Sequence, residues 1–166
     1  MGLKKDKIGI LGGSFDPAHK GHLAISKEAL KRLKLKKIIW AITRKNPFKK
    51  VSNLSLFTRI KYCKKLINKN NSIKVKFYED IIRSNKTINL IKYLNRNKKN
   101  EIYFLMGADN LINFHKWHNW KTISQKCNII VFDRHGYKKK SLNSTTFKRL
   151  NKKSLKFIEF NKVNIS

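Results

Sequence analysis

At 166 residues the chain has the length of one domain and can bury a substantial core. Its 40 Lys and Arg against 9 Asp and Glu give a formal charge of +31, a balance that ordinarily points to nucleic acid or an anionic membrane. The basic residues are spread along the whole chain and travel with Asn and Ile, which share A- and T-rich codons, so compositional drift accounts for the charge and nucleic acid is not expected as a partner.

The longest apolar runs, 38–42 and 102–106, are far short of a membrane span, and no cleavable leader is read at the amino terminus, so the chain is expected to be cytoplasmic with no membrane partner. Cys63 and Cys127 stand alone, without zinc or redox spacing, and read as buried reduced thiols.

In chain order, Ile8, Ile10 and Leu11 predict a short buried parallel strand, and Gly12 and Gly13 let the backbone turn sharply beside a ligand. His19 and His22 follow at the mouth of a helix, where unpaired N–H groups and the helix dipole favour an anion, and Lys20 adds positive charge. That is a site for a polyphosphate. Neither Gly-x-x-x-x-Gly-Lys-Ser/Thr nor Gly-x-Gly-x-x-Gly occurs. A His-x-x-His pair with Asp16 is also half of a metal site, but the glycines, Phe15, Asp16 and Pro17 around it favour the anion, and no metal ligands are assigned.

Leu23, Ser26, Leu30 and Leu33 recur at helical spacing, opposed by Glu28, Lys31 and Arg32. An Ile-rich strand is predicted over 37–42, and Pro47 ends regular structure after it. Leu56, Phe57, Ile60, Cys63 and Ile67 give a second amphipathic helix whose charged face reads as solvated. Ile73, Val75 and Phe77 alternate with lysines, as in a strand with one exposed face or at a sheet edge. A short helix covers 87–94, with Thr87 as one candidate cap.

The strand 101–106 ends in Gly107-Ala108-Asp109, where open parallel sheets bind ligands and a carboxylate can accept both hydroxyls of a ribose; a helix cap is the other reading of Asp109. Leu111, Phe114, Trp117 and Trp120 share helical spacing and read first as core, while His115 and His118 read as surface residues. A fifth strand at 129–132 ends in Asp133-Arg134-His135-Gly136. Residues 141–153 read as loop or short helix, and Phe157, Ile158 and Phe160 suggest a last strand. This order predicts an α/β fold: one Rossmann-like domain over 1–166, with a doubly wound parallel sheet.

Gly12-Gly13-Ser14-Phe15-Asp16-Pro17-x-His19-x-Gly21-His22 resembles the signature of the nucleotidylyltransferase superfamily, a His-x-Gly-His after a Gly-x-Phe-Asp-Pro turn. Asn46-Pro47-x-Lys49, Gly107-Ala108-Asp109, Trp117 and Arg134 are similar to positions of the nicotinate-nucleotide adenylyltransferases. The resemblance implies transfer of AMP from ATP, with Mg²⁺ carried on the nucleotide, to nicotinate mononucleotide, releasing pyrophosphate, in NAD biosynthesis.

It further implies His19 and His22 as catalytic groups. Gly12, Gly13, Ser14, Phe15, Lys20, Arg134 and Ser166 would face ATP and its phosphates. Asp16, Asn46, Lys49, Thr87, Gly107, Asp109 and Trp117 would face the mononucleotide, Asp109 at the ribose and Trp117 stacked on the pyridine ring. The family usually has Arg-Pro-Gly where His135 stands. Its last strand leads into Ile-Ser-Ser-Thr-x-x-Arg, of which Ile165-Ser166 supply the first two letters, so the second phosphate clamp is expected to be lacking. Asn143-Ser144-Thr145-Thr146-x-x-Arg149 imitates that motif ahead of the final strand and is not expected to replace it.

Other readings stay open: phosphopantetheine adenylyltransferase, which shares the first motif; a non-catalytic homologue that binds mononucleotide; and a basic nucleic-acid-binding module. The choice between nicotinate and nicotinamide mononucleotide, and the oligomeric state, are not legible.

Overall fold

The computed structural model describes residues 4–45, 53–133, 137–150 and 155–159. Six strands form one sheet: β1 (Asp6–Gly13), β2 (Lys37–Ile42), β3 (Ile73–Lys76), β4 (Asn100–Gly107), β5 (Asn128–Asp133) and β6 (Leu155–Glu159). They lie in the order β3-β2-β1-β4-β5-β6, and every pairing is parallel. Parallel neighbours need crossovers, and the intervening segments supply them: α1 (Lys20–Leu33), α2 (Leu56–Ile67), α3 (Glu79–Ile82), α4 (Thr87–Leu94), α5 (Ala108–Asn113), a 3₁₀ turn (Phe114–Lys116), α6 (Trp120–Lys126), α7 (Tyr137–Leu142) and α8 (Thr145–Arg149). This is the doubly wound order expected from the sequence.

Alternation along the strands divides the core in two. On one face Ile8, Ile10, Ile39, Phe104, Met106, Ile129 and Val131 pack under α4, α5 and α6 through Ile88, Ile91, Leu111, Phe114 and Ile123. On the other, Leu11, Ile38, Trp40, Ile42, Leu105, Ile130 and Phe132 meet Ile25, Ala29 and Leu33 of α1 and Cys63 of α2. Gly9 belongs to this second face: a Cβ there would lie 2.8 Å from both Ile38 Cγ1 and Leu35 Cδ1, so any side chain at this position would force Ile38 and Leu35 to move.

Several expectations shift. The buried stripe of α1 is centred on Ile25, Ser26, Ala29 and Leu33, with Leu23 and Leu30 only partly covered. Phe57, read as core, is 77% exposed, because the buried face of α2 runs through Arg59 and Cys63. Thr87 is the first residue of α4 rather than its cap, and Asp109 lies in the first turn of α5, whose cap is Gly107. Trp117 is in no helix; it is extended after the 3₁₀ turn. Residues 137–149 carry two short helices. The edge placement of β3, with its lysines, agrees with the sequence pattern.

Candidate active site

The connection from β1 leaves through α1 toward one face of the sheet, while the neighbouring β4 leaves through α5 toward the other. The crevice opened between them is the topological switch point, where open α/β sheets take their ligands. The strand ends facing it are Gly12-Gly13 and Gly107.

The turn out of β1 does not rely on the glycines for its left-handed residue. That residue is Phe15, at φ 51°, followed by a cis Asp16–Pro17 bond. Gly12 and Gly13 end the strand itself, and a Cβ on Gly12 would sit 3.6 Å from the Phe104 ring. The Phe15 ring is buried against Trp40, with centroids 5.1 Å apart and nearly parallel planes, which anchors the strained position.

Helix α1 then starts on the two histidines. His19 is the N-cap, and its Nδ1 accepts from the Gly21 N–H at 3.1 Å. His22 reaches back, its Nδ1 accepting from the His19 N–H at 3.1 Å. This is the reciprocal exchange of a capping box, made with imidazoles instead of a hydroxyl and a carboxylate. It has a chemical consequence. A neutral ring that accepts at Nδ1 carries its proton at Nε2, the atom farthest from its backbone, so both rings present an Nε2–H donor. The first turn of α1 holds no acidic residue, so nothing in it offsets the positive end of the helix dipole.

The ring positions are fixed from behind. His19 and His22 lie 4.0 Å apart between centroids, and His22 packs on Phe15 at 4.7 Å. The buried Trp40 indole N–H donates to Ser26 Oγ at 2.8 Å, and the Ser26 hydroxyl donates to the His22 carbonyl at 2.8 Å. Lys20 is exposed at the first helical position.

Asp16 has a role that its sequence position does not show. Its carboxylate accepts from the N–H groups of Asn53 and Leu54, at 2.5 and 3.0 Å, and so ties the first turn to the segment leading into α2. Arg59 does the same from inside. Buried at 1% exposure, it donates to the carbonyls of Leu54, Ser14, Thr43 and Arg44. Sequence reading placed its helix face in solvent. The signal was its spacing, one turn before Cys63 on the apolar stripe.

On the far wall, Trp117 is half-buried and stands edge-on to Phe104 at 6.0 Å and to Phe114 at 5.1 Å. Phe104 thus spans from Gly12 to Trp117 and sets the width between them. Asp109 and Gly107 border this wall, and Thr87 opens α4 on the same side of the sheet. His115, read as a surface residue, is instead held by Thr146 Oγ1 and the Ile112 carbonyl, at 3.0 and 3.1 Å from Nδ1. Thr146 is fully buried and Ser144 caps α8, so these two hydroxyls of the motif-like stretch are engaged inside the fold, while Thr145 is exposed. Asn46, Pro47, Lys49, Arg134 and Ser166 lie outside the described residues.

Among the described residues no group of three or more His, Cys, Asp or Glu could hold a metal ion. No described helix is long and apolar enough to cross a membrane. Cys63 and Cys127 are free and buried, as expected, and burial pushes both thiols up to about 12.

A paired-histidine helix start at the switch point of a parallel sheet defines a nucleotidyltransferase, and the cytidylyltransferase-like family model matches residues 10–163. "Probable nicotinate-nucleotide adenylyltransferase" of Pelagibacter ubique (strain HTCC1062) is 68% identical over 166 residues, 100% of this chain and 92% of the relative. The protein so named in Agrobacterium fabrum is 39% identical over 139 residues, 83% of this chain and 74% of the relative. Among solved structures, Plasmodium falciparum nicotinic acid mononucleotide adenylyltransferase complexed with NaAD superposes with a TM-score of 0.75 at 20% identity, covering 96% of this chain and 77% of that one. At that identity it speaks for the fold. The chain belongs to the nicotinate-nucleotide adenylyltransferase family.

Proposed function

We propose that the protein transfers the adenylyl group of Mg²⁺-ATP to nicotinate mononucleotide, giving nicotinate adenine dinucleotide and pyrophosphate. The observation that carries this is the reciprocal His19–His22 cap, which holds two imidazoles at the N-terminus of α1, beside the switch point. The relatives' names supply the substrate pair.

In the reaction a phosphate oxygen of the mononucleotide forms a bond to the α-phosphorus of ATP, while the bond from that phosphorus to the β-bridging oxygen breaks. Pyrophosphate leaves with the electron pair. No covalent enzyme intermediate is needed. Charge builds on the α-phosphoryl oxygens and the leaving group, and donors already fixed by the helix start meet it without reorganising. His22, packed between Phe15 and His19 and braced by Ser26 and Trp40, is the more rigid donor. His19 and Lys20 serve the triphosphate. Mg²⁺ enters as part of the nucleotide, where it neutralises phosphate charge.

The opposite wall suits the acceptor: a half-buried Trp117 for the pyridine ring, and Asp109 for the ribose hydroxyls. Thr87, Asn46 and Lys49 complete this assignment, with Arg134 and Ser166 on the nucleotide side.

The test is pyrophosphate release with ATP and Mg²⁺, comparing nicotinate mononucleotide, nicotinamide mononucleotide and phosphopantetheine. Selective turnover of the first, lost by about a hundredfold or more in His22→Ala, is expected. Turnover of phosphopantetheine instead, or an unchanged rate in His22→Ala, would refute the assignment or the role.

A further inference from the structure

Arg59, tied above to the turn after β1, has no part in the chemistry assigned so far. It projects from the first turns of α2, is 1% exposed, and forms no ion pair among the described residues. A buried guanidinium is costly unless its N–H groups are satisfied. Here, among the described residues, they are satisfied in an uncommon way, by main-chain oxygens alone. Nε donates to the Leu54 carbonyl at 3.1 Å; Nη1 donates to the carbonyls of Ser14 and Thr43, each at 2.7 Å; Nη2 donates to the Arg44 carbonyl at 2.7 Å.

These four acceptors come from three places. Ser14 lies in the turn between β1 and the histidines, directly before the left-handed Phe15. Thr43 and Arg44 follow β2, and the Thr43 N–H also donates to the Gly13 carbonyl at 2.9 Å. Leu54 precedes the Ser55 cap of α2, where its own N–H meets Asp16. One planar fork therefore sets the spacing between the histidine-bearing turn and the segment that follows β2. Carbonyls held at 2.7 Å by a charged donor are fixed more firmly than neutral hydrogen bonds would fix them.

We propose that Arg59 is a positioning residue for adenylyl transfer: its fork holds the β1–α1 turn in register with Thr43 and Arg44 after β2, so that the paired histidines that follow the turn meet the reacting phosphates in line. The inference rests on the activity proposed above. Arg59 donates to main chain on the inner side of the turn, so its effect falls on alignment more than on affinity. In-line displacement is sensitive to displacements well below an ångström, and a 1 Å misplacement costs roughly a hundredfold. A lysine keeps the charge but offers one nitrogen in place of three and cannot span the four acceptors.

The experiment compares wild type and Arg59→Lys in the pyrophosphate-release assay, at a temperature about 15 °C below the variant's own melting midpoint so that the folded state is measured. Wild-type turnover of nicotinate mononucleotide tests the underlying reading; wild-type inactivity would remove that reading and leave the clamp without a reaction to serve. With wild type active, kcat of Arg59→Lys should fall at least about tenfold while KM for each substrate stays within about threefold. A folded variant with wild-type kcat overturns the proposal, as does a loss confined to KM.

A second measurement needs no variant. The Arg59 Nε–H and Nη–H signals in nitrogen-15 spectra of the wild-type protein should exchange slowly. They should shift when an α,β-methylene ATP analogue and nicotinate mononucleotide bind together. Signals that stay in place at saturation overturn the proposal even if Arg59→Lys fails to fold.

Discussion

Replacing Ser26 with alanine tests whether the support behind His22 is as rigid as the geometry requires. Ser26 and Trp40 are both 0% exposed, so no solvent can replace the hydroxyl. In Ser26→Ala the Trp40 Nε1–H loses its acceptor at 2.8 Å and the His22 carbonyl loses its second donor. Leaving a buried N–H unpaired costs about 1–3 kcal/mol. For a chain of this length that lowers the melting midpoint by roughly 4–8 °C at the centre of the range. Thermal unfolding followed by circular dichroism reads it directly.

The control is Trp40→Phe, which removes the indole N–H yet keeps a ring against Phe15. The double variant no longer contains an orphaned donor, so it should cost less than the sum of the single changes by about 1 kcal/mol. A midpoint for Ser26→Ala within about 1 °C of wild type, or strict additivity in the cycle, would refute the argument.

Three further outcomes follow from packing and charge. Gly9→Ala puts a methyl group 2.8 Å from buried Ile38 and Leu35 and should destabilise by about 1–3 kcal/mol, measured as a lower urea midpoint at unchanged slope. Glu79 has one carboxylate oxygen buried without a partner, and burial raises its pKa against the opposing pull of Arg44 and Arg59. A carboxyl raised by folding favours the native state while protonated and loses that contribution as pH rises from the usual carboxylate range through its folded value. Glu79→Gln should therefore be more stable than wild type near neutral pH, and the gain should vanish in acid; a gain that persists in acid would contradict it.

Cys127 is pushed by burial from 9.0 to about 12, so its thiol remains protonated in the native protein while the unfolded chain ionises. That stability is intact below the unfolded value and is lost as pH climbs from 9.0 toward about 12, a loss that Cys127→Ala should lessen in alkaline denaturation curves.

The part of the site written in consecutive residues was legible beforehand. Strand, turn and paired histidines occupy one short run, and the nearly continuous apolar runs of β1, β2, β4 and β5 mark strands covered on both faces, as in a parallel sheet. What sequence reading missed depends on tertiary placement. An arginine on an amphipathic helix reads as solvated unless the carbonyls it will meet are known, and those of Ser14, Thr43 and Arg44 arrive from distant segments. Phe57 fits the apolar period of α2 but lies off the face that Arg59 and Cys63 bury. Trp117 kept helical spacing with Phe114, yet the 3₁₀ turn breaks the phase between them and leaves the indole edge-on to the core. The glycines at the end of β1 suggested the bend, whereas the left-handed backbone falls on Phe15.

Ordinarily a reactive group burdens the scaffold that carries it, because chemistry wants a side chain where folding would choose another. In α1 the two demands coincide: the imidazole nitrogens that begin the helix also decide where the rings keep their protons. Substituting either histidine therefore removes a helix cap together with a candidate donor, so a loss of activity in such a variant has to be read beside its melting midpoint.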